Sequence, residues 1–199
     1  MSWPGLAERL EGRLVVLEPT RLEHEEPLWE AAQDPAVWTL MSIEAGARRE
    51  LFDRWWEHLL GEAEKGAEVP LTTIERSSGR VIGSTRYLAL RPEHRGLEIG
   101  HTWLRSDAWG TGANVEAKLL MLAHAFERMG CMRVELKTDA RNERSRKAME
   151  ALPARFEGIF RKHMLVRGEE LRDSAWYAIT DDEWPNVRAN LGRRLASRG

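Results

Sequence analysis

The sequence has one cysteine, two tyrosines and no apolar run approaching the roughly 18 to 20 residues that a membrane helix requires. Cys131 alone can close no internal disulfide and cannot build a cysteine-rich metal site, which fits a reducing compartment, so a cytoplasmic location is expected. Neither sign of charge is in surplus: 30 basic and 32 acidic side chains leave a net charge of −2. No basic field argues for nucleic acid, and no membrane partner is expected. The six histidines show no His-x-x-x-His spacing, so no metal is expected either. No basic-then-apolar leader opens the chain. A Walker-type phosphate loop is missing, and a G-x-G-x-x-G fingerprint is left incomplete because Val115 stands in the third glycine's place. Standard ATP and NAD sites are therefore disfavoured.

What the chain does have is nine tryptophans, most of which read as core packing, and 199 residues, enough for one domain over 1–199 but cramped for two. Residues 13 to 18 read as a first strand, and two amphipathic helices follow, over about 21 to 32 and 47 to 64. Residues 69 to 76 and 80 to 90 form an expected hairpin around Ser77-Ser78-Gly79, and 97 to 104 a fourth strand. Val115, Leu119, Leu122 and Phe126 recur as one face of a helix ending near Gly130. A fifth strand over 131 to 138, a helix from Asn142 to Leu152 and two strands over 155 to 166 and 171 to 180 complete the body, with a helical tail from about 181. The expectation is an α/β (α+β) fold whose mixed central sheet of about seven strands is flanked by helices.

The stretch Ala108-Trp-Gly-Thr-Gly-Ala-Asn114 joins the fourth strand to a helix. Helix N-termini carry unpaired N–H groups and partial positive charge, and glycines let a diphosphate come close to them. Gly110 and Gly112 suit such a cradle; they suit a plain tight turn equally well. Asn142 and Ser145 likewise read as a cap with a first-turn serine, or as a pair facing a ligand. Glu98 and His101 share the fourth strand at an odd spacing, which sends them to opposite faces unless a bulge intervenes. Cys131 reads as a small buried hydrophobe rather than a nucleophile.

With this element order around that turn, the chain resembles the GNAT superfamily of acetyl-CoA-dependent N-acetyltransferases, and its RimJ/RimL branch in particular. The resemblance runs through Arg13-Leu-Val-Val-Leu-Glu-Pro-Thr20, Gln33-Asp34-Pro35, Glu98-Ile-Gly-His-Thr-Trp-Leu104, Trp109-Gly-Thr-Gly112, Asp139-Ala-Arg-Asn142-Glu-Arg-Ser145, Phe156-Glu157-Gly158 and Glu183-Trp184-Pro185. Trp109 occupies the place of the family's usual Gln or Arg, Asn114 that of its last small residue, and Pro153 that of a glycine.

The resemblance implies a GNAT acyl-CoA N-acyltransferase fold and direct acetyl transfer to a primary amine, either a protein N-terminus or a small molecule. It implies a pyrophosphate held by Trp109, Gly110, Thr111, Gly112, Ala113 and Asn114, mainly through backbone N–H groups. Trp103 or Leu104 would hold the acetyl carbonyl through its N–H, and Arg105 and Lys147 would reach the phosphates. Asn142 would meet the pantetheine arm and Ser145 the sulfur, as thiolate stabiliser or acid; Glu98 is the candidate base. Trp55 and Trp56 lie on a helix expected to wall the acceptor cleft, with one of them lining it. Transfer of a longer acyl group such as succinyl, or a non-catalytic acyl-CoA sensor, stand as alternatives. A homodimer is compatible with the tryptophan-rich helices.

Overall fold

A computed structural model describes residue 3 and residues 5 to 39 and 41 to 197. Eight strands form one sheet: β1 (Leu10–Glu11), β2 (Val15–Pro19), β3 (Val69–Glu75), β4 (Val81–Arg91), β5 (Gly96–Leu104), β6 (Arg133–Asp139), β7 (Arg155–Val166) and β8 (Glu170–Thr180). Their spatial order is β1-β2-β3-β4-β5-β6-β8-β7. The helices are α1 (Glu25–Ala32), α2 (Arg49–Glu64), α3 (Ala113–Ala123), α4 (Glu143–Glu150) and α5 (Trp184–Ala196). The strand that sequence patterning misses is β1, whose two residues are too short to show any alternation. Among the described residues, no helix is long and apolar enough to cross a membrane.

Alternation along the strands divides the apolar residues into two cores, one on each face of the sheet. On β4, Val81 joins the cluster of α1 and α2 while Ile82 joins that of α3 and α5; on β5, Trp103 and Leu104 divide in the same way. The first cluster is aromatic: Phe52 lies 5.2 Å from Trp55, and Trp103 lies 5.2 Å from Trp38 and 6.0 Å from Trp55. The second is mainly aliphatic and lies beneath α3, which continues past Ala123 as a π-helical turn over His124–Arg128.

The buried face of α3 differs from the one that apolar spacing predicts. Leu122 and Phe126 are buried, but Val115 and Leu119 only flank the core, and Ala113, Glu116, Ala117, Lys118 and Met121 point inward instead. Two of these are charged, and each is inside because it has a specific polar task. Glu116 accepts from three successive backbone N–H groups, Arg13 to Oε1 at 2.9 Å and Leu14 and Val15 to Oε2 at 2.6 and 2.8 Å. The carboxylate thus pins the start of β2 to α3. Residue 12 must be glycine, because a Cβ there would lie 2.3 Å from Glu116 Oε2.

Removing this clamp would leave three inward-facing donors unsatisfied. Glu116→Ala is expected to lower unfolding stability by about 2–3 kcal/mol. Urea denaturation of the variant beside the wild type measures this, with an unchanged slope marking a simple loss of stability.

Candidate active site

β5 and β6 run parallel and pair at Gly96 with Arg133, Leu97 with Val134 and Glu98 with Glu135. Beyond that point β5 continues to Leu104 and β6 to Asp139 without pairing to each other. Each is still held on its far side, β5 by β4 and β6 by β8 as far as Asp139 opposite Ser174. The sheet therefore splits between two firmly held edges, and a cavity of about 440 Å³ fills the split.

The upper half of β5 is bent by a bulge. Ser84 opposes Trp103 and Arg86 opposes Gly100, so the single residue Thr85 faces the pair His101-Thr102. His101 takes the left-handed backbone conformation, φ 48°, that this extra residue demands. The bulge cancels the odd spacing of Glu98 and His101, and both side chains line the cavity. Burial, reinforced by the nearby cations Arg86, Lys137 and Arg172, pushes the His101 pKa down to about 3, so its imidazole is neutral at pH 7.

Glu98 is buried, and burial raises its pKa above the usual carboxylate range against the opposing pull of Lys137. Lys137 Nζ donates to Glu98 Oε2 at 2.5 Å. The other oxygen points along the strand: a Cβ at residue 100 would sit 2.9 Å from Glu98 Oε1, so Gly100 leaves room for the carboxyl beside the cavity.

The turn leading to α3 closes one end. Gly110 and Gly112 have φ of 77° and 100°, conformations that side chains other than glycine's adopt only under strain. Thr111 Oγ1 donates to Ala108 O at 2.8 Å and accepts from Ala113 N at 3.3 Å, tightening the turn, while the first N–H groups of α3 have no partners inside the helix. Asn114 Oδ1 is buried at the cavity wall without a hydrogen-bond partner. Trp109 is tied in place by its indole N–H, which donates to Leu104 O at 2.9 Å, and its ring carries the Arg144 guanidinium 3.6 Å above its centroid. This contact bridges the turn to α4.

On α4, Asn142 caps the helix: its Oδ1 accepts from Ser145 N at 3.0 Å. Both residues also line the cavity, and the Ser145 hydroxyl makes no hydrogen bond to any described residue. Sequence spacing thus brings Glu98, Trp103, Leu104, Trp109, Gly110, Asn114, Asn142 and Ser145 to one cavity. Thr111, Gly112, Ala113, Arg105 and Lys147 lie outside its wall; Arg105 bonds Asp107, and Lys147 is exposed beside Glu143. Trp55 and Trp56 are both buried in the aromatic core, so neither lines the cavity. Cys131 is buried as well, and burial raises its thiol pKa to about 12, which removes it from nucleophilic chemistry.

Sequence reasoning missed Lys118, Lys137, Asp139 and Arg172, all of which line the cavity. Charged residues in a strand or helix ordinarily face water, and nothing in their spacing marks these as exceptions. Lys118 is only 5% exposed, and its ammonium reaches the two hydroxyls at the bulge, Thr102 Oγ1 at 2.6 Å and Thr85 Oγ1 at 3.4 Å. Those hydroxyls are themselves 2.7 Å apart.

The chain matches the family model described as "Acetyltransferase (GNAT) domain" over residues 13–155. Among solved structures, a GCN5-related N-acetyltransferase from Brucella melitensis is 31% identical over 94% of this chain and 85% of that one, with a TM-score of 0.85. A protein described as an acetyltransferase from T. thermophilus is 40% identical over 94% and 97%, also at 0.85. Mycobacterium smegmatis RimJ, solved in complex with CoA-disulfide, shares the fold at 23% identity over 100% and 98%, with a TM-score of 0.78. No curated protein matches the chain. The family match and the relatives at 31% and 40% identity make it an acyltransferase enzyme. The chain belongs to the GNAT acetyltransferase family.

Burial lowers the Lys118 pKa from 10.5 to about 7. An unfolded lysine keeps its proton up to about pH 10, so between pH 7 and that point unfolding takes up a proton and stability rises with pH. The cost of the buried ammonium is then fully present below pH 7. Lys118→Met is expected to raise the thermal midpoint at pH 6 by about 3 °C or more, with the gain shrinking towards pH 10. Calorimetric scans at the two pH values check it.

Proposed function

We propose that the chain is an N-acetyltransferase that moves the acetyl group of acetyl-CoA to a primary amine by direct attack within a ternary complex. The observation that carries this reading is the split between β5 and β6, bounded by the glycine turn on one side and α4 on the other. An extended pantetheine arm fits such an opening, since the unpaired stretch of β5 offers it main-chain partners. The first N–H groups of α3 and the glycine turn suit its pyrophosphate, and the unpartnered Asn114 Oδ1 suits an amide N–H of the arm.

Acetyl-CoA supplies an activated acyl group, and this chain's residues do the rest. Glu98, buried with one oxygen held by Lys137, takes the proton that the amine gives up as its nitrogen bonds to the acetyl carbon. The bulge at His101-Thr102 frees the ladder locally, so that a main-chain N–H near Trp103 or Leu104 can polarise the acetyl oxygen. As the carbon–sulfur bond breaks, the Ser145 hydroxyl donates a hydrogen bond to the departing sulfur. His101, neutral and lining the same cavity as Glu98, adds no charge that would repel an incoming cationic amine.

Release of free CoA thiol with a panel of amines tests the activity. Glu98→Gln is expected to lower kcat/KM at least about a hundredfold while acetyl-CoA still stabilises the protein against heat. In the wild type the acid limb of the pH profile should lie above 4.5, where the buried carboxyl becomes protonated; the Gln variant should lack that limb. Gly112→Val, which forces a branched side chain into a φ of 100°, should fold but lose stabilisation by acetyl-CoA. Normal cofactor binding by that variant would reduce the stretch to a simple loop.

A further inference from the structure

Where β6 and β8 border the cavity, three cations, Lys137, Arg141 and Arg172, lie among three carboxylates, Glu98, Asp139 and Glu170, the last bonded by Arg141 at 2.7 Å. Asp139 is claimed by Arg141, whose backbone N–H and Nε donate to Oδ1 at 2.9 and 3.0 Å and whose Nη2 donates to Oδ2 at 2.7 Å. Glu98 is claimed by Lys137. The third cation, Arg172 on β8, lines the cavity and is 8% exposed. Its Nε is buried without a partner, and its guanidinium makes no hydrogen bond or ion pair with any described residue. Asp139 and Glu98 lie close enough to attract it, yet neither bonds to it.

An arginine cannot shed its proton to escape this situation, and a buried charge without a partner is strongly unfavourable. Its cross-strand neighbour Met164 offers no oxygen acceptor in its side chain. A planar fork of donors left without a hydrogen-bond partner at a cavity wall is suited to one class of group, an oxyanion of matching geometry.

We propose that Arg172 receives a carboxylate carried by the acceptor, which makes the acceptor an amine with a carboxylate a few bonds from its nitrogen. This rests on the acetyl-transfer reading above: Glu98 faces the amine and Arg172 the carboxylate, within one cavity. Binding would give Arg172 the hydrogen-bonded carboxylate that Lys137 and Arg141 already have. Two sources share this chemistry, a free amino acid and a peptide whose N-terminus is followed by an acidic residue.

Two matched pairs of acceptors separate the sources: L-leucine against L-leucinamide, and a Gly-Asp peptide amide against its Gly-Asn counterpart. In the wild type the carboxylate member of one pair is expected to exceed its neutral partner in kcat/KM by about tenfold or more. Arg172→Met should erase that preference, lowering kcat/KM of the carboxylate member far more than that of the neutral one, and Arg172→Lys should keep part of it. The variant should also melt no lower than the wild type without ligand, since it removes an unpaired buried charge. Equal use of acid and amide by the wild type, or a preference that survives in Arg172→Met, overturns the proposal. If no amine at all releases CoA, it is the transfer reading that fails; calorimetric titration of the same four compounds then decides on Arg172. Carboxylate-dependent binding lost in Arg172→Met supports the role, and its absence ends it.

Discussion

Every feature of the cleft depends on where one set of main-chain hydrogen bonds stops. A parallel ladder between β5 and β6 that ran the full length of both strands would leave no opening; ended at Glu98 and Glu135, it parts two strands that their outer neighbours still hold. The split needs no flexible lid and no cavity cut into a core. It also accounts for the crowding of functional side chains on so few elements, because the parted strands, the turn leaving β5 and the helix following β6 all point into the same gap.

Interior charge is the second theme. Glu116, Lys118, Glu98 and Arg172 are all buried, and each meets a different fate. Glu116 is satisfied by three N–H groups and acts as a fastener. Glu98 has a lysine on one oxygen only. Lys118 has hydroxyls in place of a counter-ion, and Arg172 has no hydrogen-bond partner among the described residues, only the attraction of Asp139 and Glu98. Of these four, the three that line the cavity are the ones less completely satisfied. Incomplete pairing is costly in an empty site and useful in a filled one, which is the usual bargain between stability and activity.

Much of the architecture was legible because it rests on period and punctuation. Seven strands, the helices and the hairpin at Ser77-Ser78-Gly79 follow from alternation, helical spacing and turn residues. β1 escaped because two residues carry no period. The orientation of α3 was misread because apolar spacing gave Val115 and Leu119 more weight than the charged Glu116 and Lys118, whose burial depends on partners far along the chain. The bulge at His101 could be posed only as a condition: a one-residue insertion in a ladder is fixed by pairing with β4, and no local residue preference announces it. Arg172 was invisible for the same reason, since an arginine in an exposed hairpin and one beside a cavity read alike.

The carboxylate of Glu116 bonds residues 101 to 103 positions earlier in the chain. That separation has a kinetic meaning. The clamp on the start of β2 cannot close until more than half of the polypeptide has been made and α3 has formed to supply it, so it is a late, non-local contact of the kind that slows folding, even though β2 finds its sheet partner β3 earlier in the chain. During synthesis the N–H groups of residues 13 to 15 would wait, uncapped, for a helix that has not yet left the ribosome.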